Sequence, residues 1–274
     1  MPKQIWMKYN LHKIKDRFNF GPGYDRSKKD FRIVSSSKKI ENNYDFLIFT
    51  DSKGSTLDDE NYDCWTDLLF HFLFSFNYKV LFISRPKEMT TFITLINFLE
   101  LNKIEYKYLI TNVGYAEHTP SKLFFINDIK KQISNTIYDL NLLPFKKEKY
   151  TLSNGKSEFL YSYNFGDIER DISSYLSKKF KSCILLGTML FSKKISISRK
   201  RPDSFFEQLS VSNHFIKKIA SLSSNINFYT PIYRQTINMK EIAHDGVHFS
   251  IYGHKLFYSK LAEHIKLNGF KYFK

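Results

Sequence analysis

The sequence is poor in the residues that mark fibrous, disulfide-rich and membrane-spanning proteins. Its 274 residues include only ten glycines, seven prolines and two cysteines, and Cys64 and Cys183 lack the spacing of metal ligands or of a disulfide framework. No stretch approaches 18 consecutive apolar residues, and the N-terminus lacks the apolar run of a secretory signal. These absences predict a reduced, cytoplasmic protein with no membrane span. Hydrophobic residues form 42% of the chain, enough for a globular core, which excludes intrinsic disorder.

Acidic residues are also scarce, because 27 carboxylates stand against 42 lysines and arginines and leave a net charge of +15. A positive surface favours anionic partners, such as an anionic glycan, a phosphorylated cofactor, a membrane surface or nucleic acid. The lysines are scattered, and the densest basic clusters, 178–181 and 199–201, are short. Charge alone therefore names no partner, and nucleic acid is the less favoured interpretation.

The chain divides into a basic N-terminal segment and one larger domain. Residues 1–42 are polar and broken by glycine, proline and serine, which predicts an arm or an extra surface layer. In residues 43–274 short apolar runs alternate with helical patterns, which is typical of a parallel sheet with crossover helices. The predicted strands are 46–50, 79–84, 106–112, 182–186 and 225–229, and the predicted helices are 64–76, 88–102, 121–138, 167–180, 205–223 and 250–266. Asn154-Gly155, a strong turn pair, predicts a β-hairpin inserted at about 146–165.

A candidate nucleophile follows the first predicted strand of the domain. Residues 46–50 run directly into Asp51-Ser52-Lys53-Gly54. A serine just past the carboxyl end of a central parallel strand lies where open α/β sheets bind their ligands. Serine and glycine are also ordinary turn residues, so Ser52 taken alone indicates no more than a turn.

A candidate general base lies near the other end of the chain. Asp245 precedes His248 by three residues, and from one loop its carboxylate can hold the imidazole in the orientation that a base requires. Ser250 is placed to cap the helix that follows. An Asp-x-x-His pair can be purely structural, and the combination with Ser52 is what predicts nucleophilic catalysis.

Together these blocks resemble those of the SGNH or GDSL hydrolases. The family's strand followed by Gly-Asp-Ser is matched by Thr-Asp-Ser at 50–52. Its Asp-Gly-x-His block is matched at 245–248, with the Gly-His pair of the terminal helix at 253–254. The aromatic-led helix at 64–69 and the strand and loop at 108–120 are similar to two further family blocks, and all of them occur in the family's order.

The resemblance spans residues 44–267 and carries implications for fold and mechanism. It implies a three-layer α/β/α sandwich around a mostly parallel central sheet. It also implies a catalytic triad in which Ser52 is the nucleophile, His248 is the base and Asp245 orients His248.

Two departures from the family concern the oxyanion hole. The family's Gly-x-Asn-Asp block supplies an asparagine amide, whereas residues 114–117 read Gly-Tyr-Ala-Glu. The glycine that supplies a second donor is also absent after the strand at 79–84, so other donors besides the Ser52 backbone N–H are required. The candidate oxyanion or substrate-binding residues are Arg85, Asn112, Gly114 and Glu117.

The resemblance predicts a serine esterase that removes O-acyl groups, with the O-acetyl group of a carbohydrate or another small ester as the expected substrate. An acyl-enzyme on Ser52 can also pass its acyl group to a sugar hydroxyl. An O-acetyltransferase that uses acetyl-CoA as donor to modify a cell-surface polysaccharide is therefore an alternative. A non-catalytic module that binds glycan or nucleic acid is a second alternative. We expect no cofactor and no metal, because the eight histidines form no His-Glu-x-x-His pattern.

Overall fold

A mostly parallel sheet of seven strands forms the centre of the computed structural model. The structure describes residues 19–20, 32–37, 40–54, 62–84, 90–123, 127, 143–151, 154–164, 168–191, 193–198, 200–232, 239–243 and 245–269. In chain order the strands are β1 (Asn19–Phe20), β2 (Arg32–Ser35), β3 (Asn43–Thr50), β4 (Val80–Ser84), β5 (Glu105–Thr111), β6 (Leu143–Thr151), β7 (Ser157–Asn164), β8 (Ser182–Leu186) and β9 (Ile226–Tyr229). The order across the sheet is β1-β2-β4-β3-β5-β8-β9, and only the β2–β4 pair is antiparallel.

Helices cover both faces of this sheet. They are α1 (Trp65–Ser75), α2 (Phe92–Asn102), α3 (Ile168–Lys179), α4 (Asp203–Ser221), α5 (Met239–Ile242) and α6 (Ile251–His264), the last continued by a π turn at Ile265–Gly269. Side chains of β3 alternate between the two resulting cores, since Leu47 and Phe49 pack with α2 and α3 whereas Phe46 and Ile48 pack with α1 and α6. A strand buried on both faces must be apolar throughout, which explains its unbroken apolar run. The predicted α/β class with a mostly parallel central sheet is confirmed.

The elements differ from the sequence-based predictions mainly at the N-terminal side. All five predicted core strands form, and the predicted helices form except the one at 121–138, most of which lies outside the described residues. Strand β2 was not predicted, because Ile33 and Val34 are a short apolar pair in a basic segment. It nevertheless pairs with β4 along four residues, so this part of the predicted arm belongs to the central sheet. The division of the chain at residue 42 stays a prediction.

The inserted hairpin forms a separate two-stranded sheet. Strands β6 and β7 pair antiparallel over the predicted segment, and Gly155 in the turn between them has a positive φ of +79°. Tyr150 of β6 donates a hydrogen bond to the Lys200 carbonyl oxygen at 2.5 Å, so the hairpin contacts the loop before α4. No helix within the described ranges is both long and apolar enough to cross a membrane.

Candidate active site

Ser52 stands at the carboxyl edge of the central strand. Strand β3 ends at Thr50, and Ser52 begins a single 3₁₀ turn that extends to Gly54. The Gly54 N–H closes this turn by donating to the Asp51 carbonyl oxygen at 3.1 Å. A Cβ atom at Gly54 would lie 2.3 Å from the Thr50 hydroxyl oxygen, so the tight path of the chain needs glycine here. The turn leaves the Ser52 side chain half-buried at the edge of the sheet.

Ser52, His248 and Asp245 form one chain of hydrogen bonds. The Ser52 hydroxyl lies 3.1 Å from His248 Nε2, and His248 Nδ1 lies 2.8 Å from Asp245 Oδ2. Because a carboxylate oxygen accepts, the Nδ1–H of His248 donates to it and Nε2 is left to accept from the serine hydroxyl. The structure thus brings together the three residues predicted as a triad, although Ser52 and His248 are 196 residues apart.

The loop that carries the His–Asp pair holds the carboxylate in place. Asp245 Oδ1 accepts the backbone N–H groups of Val247 and His248, both at 2.8 Å. Burial raises the pKa of Asp245, but the hydrogen bonds from the His248 ring and from the loop backbone outweigh burial and hold it well below its usual range. Asp245 is therefore ionised at neutral pH and can stabilise a positive charge on His248.

Arg201 also contacts Asp245, and sequence reasoning did not find this. Its Nη2 lies 3.1 Å from Asp245 Oδ2, and its side chain is 12% exposed. The sequence places Arg201 in a short basic cluster, where it reads as part of a solvated surface. No spacing rule connects residue 201 with residue 245, so no feature of the sequence could have identified the contact.

A network of polar groups joins β3 to β5 beside Ser52. The Asn112 amide donates to Asp51 Oδ1 at 2.9 Å, and the Asn112 oxygen accepts the Asp51 N–H at 3.1 Å. The Lys53 N–H also donates to Asp51 Oδ1, at 2.8 Å, and the Lys53 ammonium lies 3.3 Å from Asp51 Oδ2. Asn112 therefore lies near the nucleophile as predicted, with one amide N–H engaged by Asp51, and its role as an oxyanion donor stays a prediction.

A small cavity lies at the carboxyl ends of β3, β5 and β8. Its volume of about 20 Å³ accommodates about one water-sized group. It is lined by Lys53, Asn112, Gly187, Thr188, Met189, Gly246, Val247, Phe249 and Phe257. The Lys53 ammonium lies 3.9 Å from the centre of the Tyr115 ring, and burial lowers the pKa of Lys53. The cavity thus has both polar and apolar side chains in its lining.

Gly114 and Glu117, two further candidate site residues, lie in the loop after β5. Gly114 has a φ of +114°, and a Cβ atom there would lie 2.6 Å from Ile216, so glycine is needed for packing. Glu117 is 3% exposed, and its Oε1 accepts the N–H of Phe92 at 2.6 Å at the start of α2. The contacts given by the structure thus place Glu117 at a helix N-terminus, and a role in substrate binding stays a prediction for both residues.

Glu117 makes folding stability pH-dependent. Burial raises its pKa from 4.5 to about 7, so between these values the folded state holds a proton that the unfolded state releases. The contribution of Glu117 to the free energy of unfolding therefore falls by about 3 kcal/mol as pH rises through this range. Buried His118, whose pKa is lowered to about 4, contributes in the opposite direction. We expect Glu117→Gln to lack this fall and to exceed the wild type in stability at pH 8, as measured by urea unfolding at pH 5 and pH 8.

The matched control for this prediction is Glu207→Gln, at a carboxylate that is 57% exposed. It should keep the pH dependence of the wild type. Parallel stability curves for the wild type and Glu117→Gln between pH 5 and pH 8 would contradict the prediction.

Arg85, another candidate oxyanion residue, lies outside the described residues. Within the described part of the chain, no three histidine, cysteine, aspartate or glutamate side chains are grouped so that they could hold a metal ion. Cys64 and Cys183 are buried and free of disulfides.

The fold and the site together define an α/β protein with a serine–histidine–aspartate constellation at the carboxyl edge of its parallel sheet. No protein-family model matches the chain, and no curated protein matches it. Among solved structures, the chain is similar to a protein from Streptococcus pneumonia provisionally named a platelet activating factor. The identity is 13%, the alignment covers 81% of this chain and 83% of that chain, and the TM-score is 0.43. It is also similar to a provisionally named GDSL-like lipase from Parabacteroides merdae, with 11% identity, 82% and 96% coverage and a TM-score of 0.47.

Proposed function

We propose that the protein is a serine-dependent ester hydrolase that acts through an acyl-enzyme on Ser52. The hydrogen-bonded chain from Ser52 through His248 to Asp245 is the observation that supports this function. A serine hydroxyl is a weak nucleophile by itself, and a neighbouring imidazole held by a carboxylate activates it.

The geometry supports a two-step reaction. His248 Nε2 takes the proton of the Ser52 hydroxyl while Ser52 Oγ bonds to the ester carbonyl carbon, and the carbonyl oxygen becomes an oxyanion. When the tetrahedral intermediate collapses, the ester C–O bond breaks and the leaving alcohol takes the proton from His248. Water then repeats the sequence on the acyl-enzyme, releases the carboxylic acid and restores Ser52. The ionised Asp245 stabilises the imidazolium in both steps.

We propose that the acyl group is small, and that it is the O-acetyl group of a carbohydrate. The resemblance of the Ser52 block and of the Asp245–His248 block to those of the SGNH or GDSL hydrolases supports an O-acyl group as the substrate. The net charge of +15 supports an anionic carbohydrate over a neutral one. For the oxyanion we propose the backbone N–H of Ser52, aided by Asn112 or Arg85.

Transfer of the acetyl group from acetyl-CoA to a sugar hydroxyl is the second candidate function. It passes through the same acyl-enzyme, but the donor is a thioester and the acceptor is a sugar hydroxyl instead of water. The positive charge of the chain favours it, because both acetyl-CoA and an anionic polysaccharide carry negative charge. A binding module without catalysis is less favoured, because it would have no need of a hydrogen-bonded triad.

Trapping the acyl-enzyme tests the proposal. The protein is mixed with p-nitrophenyl acetate, quenched in acid within milliseconds to seconds and digested for mass spectrometry. We expect acetylation of the peptide that contains Ser52, and loss of the modification when His248 is replaced by alanine. Parallel reactions with acetyl-CoA and a panel of glycans separate transfer from hydrolysis. Absence of both nitrophenol release and Ser52 acetylation would contradict the proposed function.

A further inference from the structure

We propose that Arg201 is a positioning residue of the triad and that the inserted hairpin holds it in place. The inference rests on the proposed function, because it assigns Arg201 a role through Asp245. Arg201, which the sequence shows only as part of a short basic cluster, is thereby assigned a role in the catalytic apparatus.

The guanidinium of Arg201 holds both the main chain and the side chain of Asp245. Arg201 Nη2 donates to Asp245 Oδ2 at 3.1 Å and to the Asp245 carbonyl oxygen at 2.9 Å, and Nε donates to that carbonyl at 3.1 Å. The guanidinium carbon lies 4.9 Å from the centre of the Phe205 ring, which supports it from one side. A planar group that binds two oxygens of one residue restrains both the path of the loop and the rotation of the carboxylate.

The remaining contacts of Asp245 show what this restraint achieves. Oδ1 is occupied by two backbone N–H groups, and Oδ2 by the His248 ring and Arg201. Without Arg201, Oδ2 keeps the imidazole as its single partner among these contacts, and the carbonyl loses both guanidinium bonds. The carboxylate can then turn away from the line that joins it to His248. Arg201 therefore acts through Asp245.

The hairpin braces the segment on both sides of Arg201. Before it, the Lys200 carbonyl accepts the Tyr150 hydroxyl at 2.5 Å. After it, the Ser204 hydroxyl donates to the Glu148 carboxylate at the start of α4. Both partners lie on β6, which the sequence shows only as an insertion in the α/β domain. The inserted strand is thus linked to the triad through Arg201, which lies in the short segment between these two contacts.

Four variants test the proposal, with ester turnover normalised to active sites titrated by a fluorophosphonate. We expect Arg201→Met to lower kcat by about 10²-fold with KM changed by less than about twofold, as a misplaced catalytic group would. The kcat of Arg201→Lys should be about tenfold higher than that of Arg201→Met, because lysine keeps the positive charge and one donor nitrogen. Tyr150→Phe should lower kcat by a smaller factor. Lys217→Met removes an exposed charge elsewhere on α4 and should change kcat by less than about twofold.

Turnover per titrated active site distinguishes a positioning role from loss of folded protein. If Arg201 were merely structural, its replacement would lower the number of titratable sites and leave kcat per site unchanged. An Arg201→Met kcat within about twofold of the wild type would overturn the role of Arg201. A Tyr150→Phe kcat equal to that of the wild type would overturn the role of the hairpin.

A second measurement keeps the inference independent of ester turnover. The hydrogen-bonded Nδ1 proton of His248 should give a far-downfield NMR resonance in the wild type and in Lys217→Met. We expect this resonance to broaden or shift upfield in Arg201→Met, and an unchanged resonance would overturn the inference. If the wild type shows no Ser52-dependent turnover, the proposed function fails and the NMR result alone decides the role of Arg201.

Discussion

Replacing Ser52 with alanine is expected to lower ester turnover by about 10⁴-fold or more. In the proposed mechanism the Ser52 hydroxyl attacks the carbonyl, and its hydrogen bond in the structure is to His248 Nε2, so no other side chain of the triad can replace it. The 3₁₀ turn is closed through backbone groups of Asp51 and Gly54, which the substitution leaves intact. We therefore expect the melting temperature to stay within about 2 °C of the wild type. Steady-state hydrolysis of p-nitrophenyl acetate and circular dichroism measure the two quantities.

Ser75→Ala provides the matched control for this prediction. The Ser75 hydroxyl is exposed at the end of α1, where it donates to the Phe72 carbonyl oxygen. This variant should hydrolyse the ester at the wild-type rate. Retention of more than about a tenth of the activity by Ser52→Ala would instead show that the turnover arises elsewhere.

Replacing Asp245 with asparagine is expected to lower kcat by about 10⁴-fold. An asparagine has nearly the same shape, but its amide can turn an N–H group toward His248 Nδ1, which then must accept. The proton moves to Nε2, and the imidazole can no longer take the proton of Ser52. The backbone bonds that Asp245 Oδ1 accepts at 2.8 Å can persist with the asparagine oxygen, so the loop should keep its path. The pre-steady-state rate of Ser52 acylation measures this loss directly.

Asp203→Asn is the corresponding control. Asp203 is 74% exposed at the start of α4, on the same helix that follows Arg201, and it has no contact with His248 among the described interactions. Its substitution should leave the acylation rate unchanged. If Asp245→Asn acylates as fast as Asp203→Asn, Asp245 does not set the tautomer of His248.

The members of the triad could be located because each lies in a local pattern, whereas their roles followed from the combination of the two blocks and from the family resemblance. A buried parallel strand needs an unbroken apolar run, so 46–50 identifies β3 and the position of Ser52 after it. The spacing of Asp245 and His248 lets one loop bring carboxylate and imidazole together. The hairpin could also be predicted from the sequence, because the backbone conformations that Asn154-Gly155 favours specify a turn. In each case the information lies within a few neighbouring residues.

The features that escaped prediction depend on contacts between distant segments. Arg201 reaches Asp245 only because the loop before α4 passes beside the last loop of the sheet. Lys53 reads as a surface lysine, yet the fold buries it against Asp51 and Tyr115. Strand β2 forms by pairing with β4, because its two apolar residues alone are too few to predict a strand. Side-chain patterns describe what a segment prefers, whereas these contacts are decided by which segments become neighbours.

The sequence separation of 196 between Ser52 and His248 also has a consequence for synthesis of the protein on the ribosome. Strands β3, β4 and β5 can emerge and begin to pair while the loop that carries His248 has not yet been translated. A nascent chain at that stage contains Ser52 but lacks His248, so the proposed reaction cannot take place on it. The final helix α6 follows this loop directly and packs its apolar side against α1 and the sheet. Under the proposed function, arrest of translation before residue 245 should yield chains that cannot acylate, because they lack both Asp245 and His248.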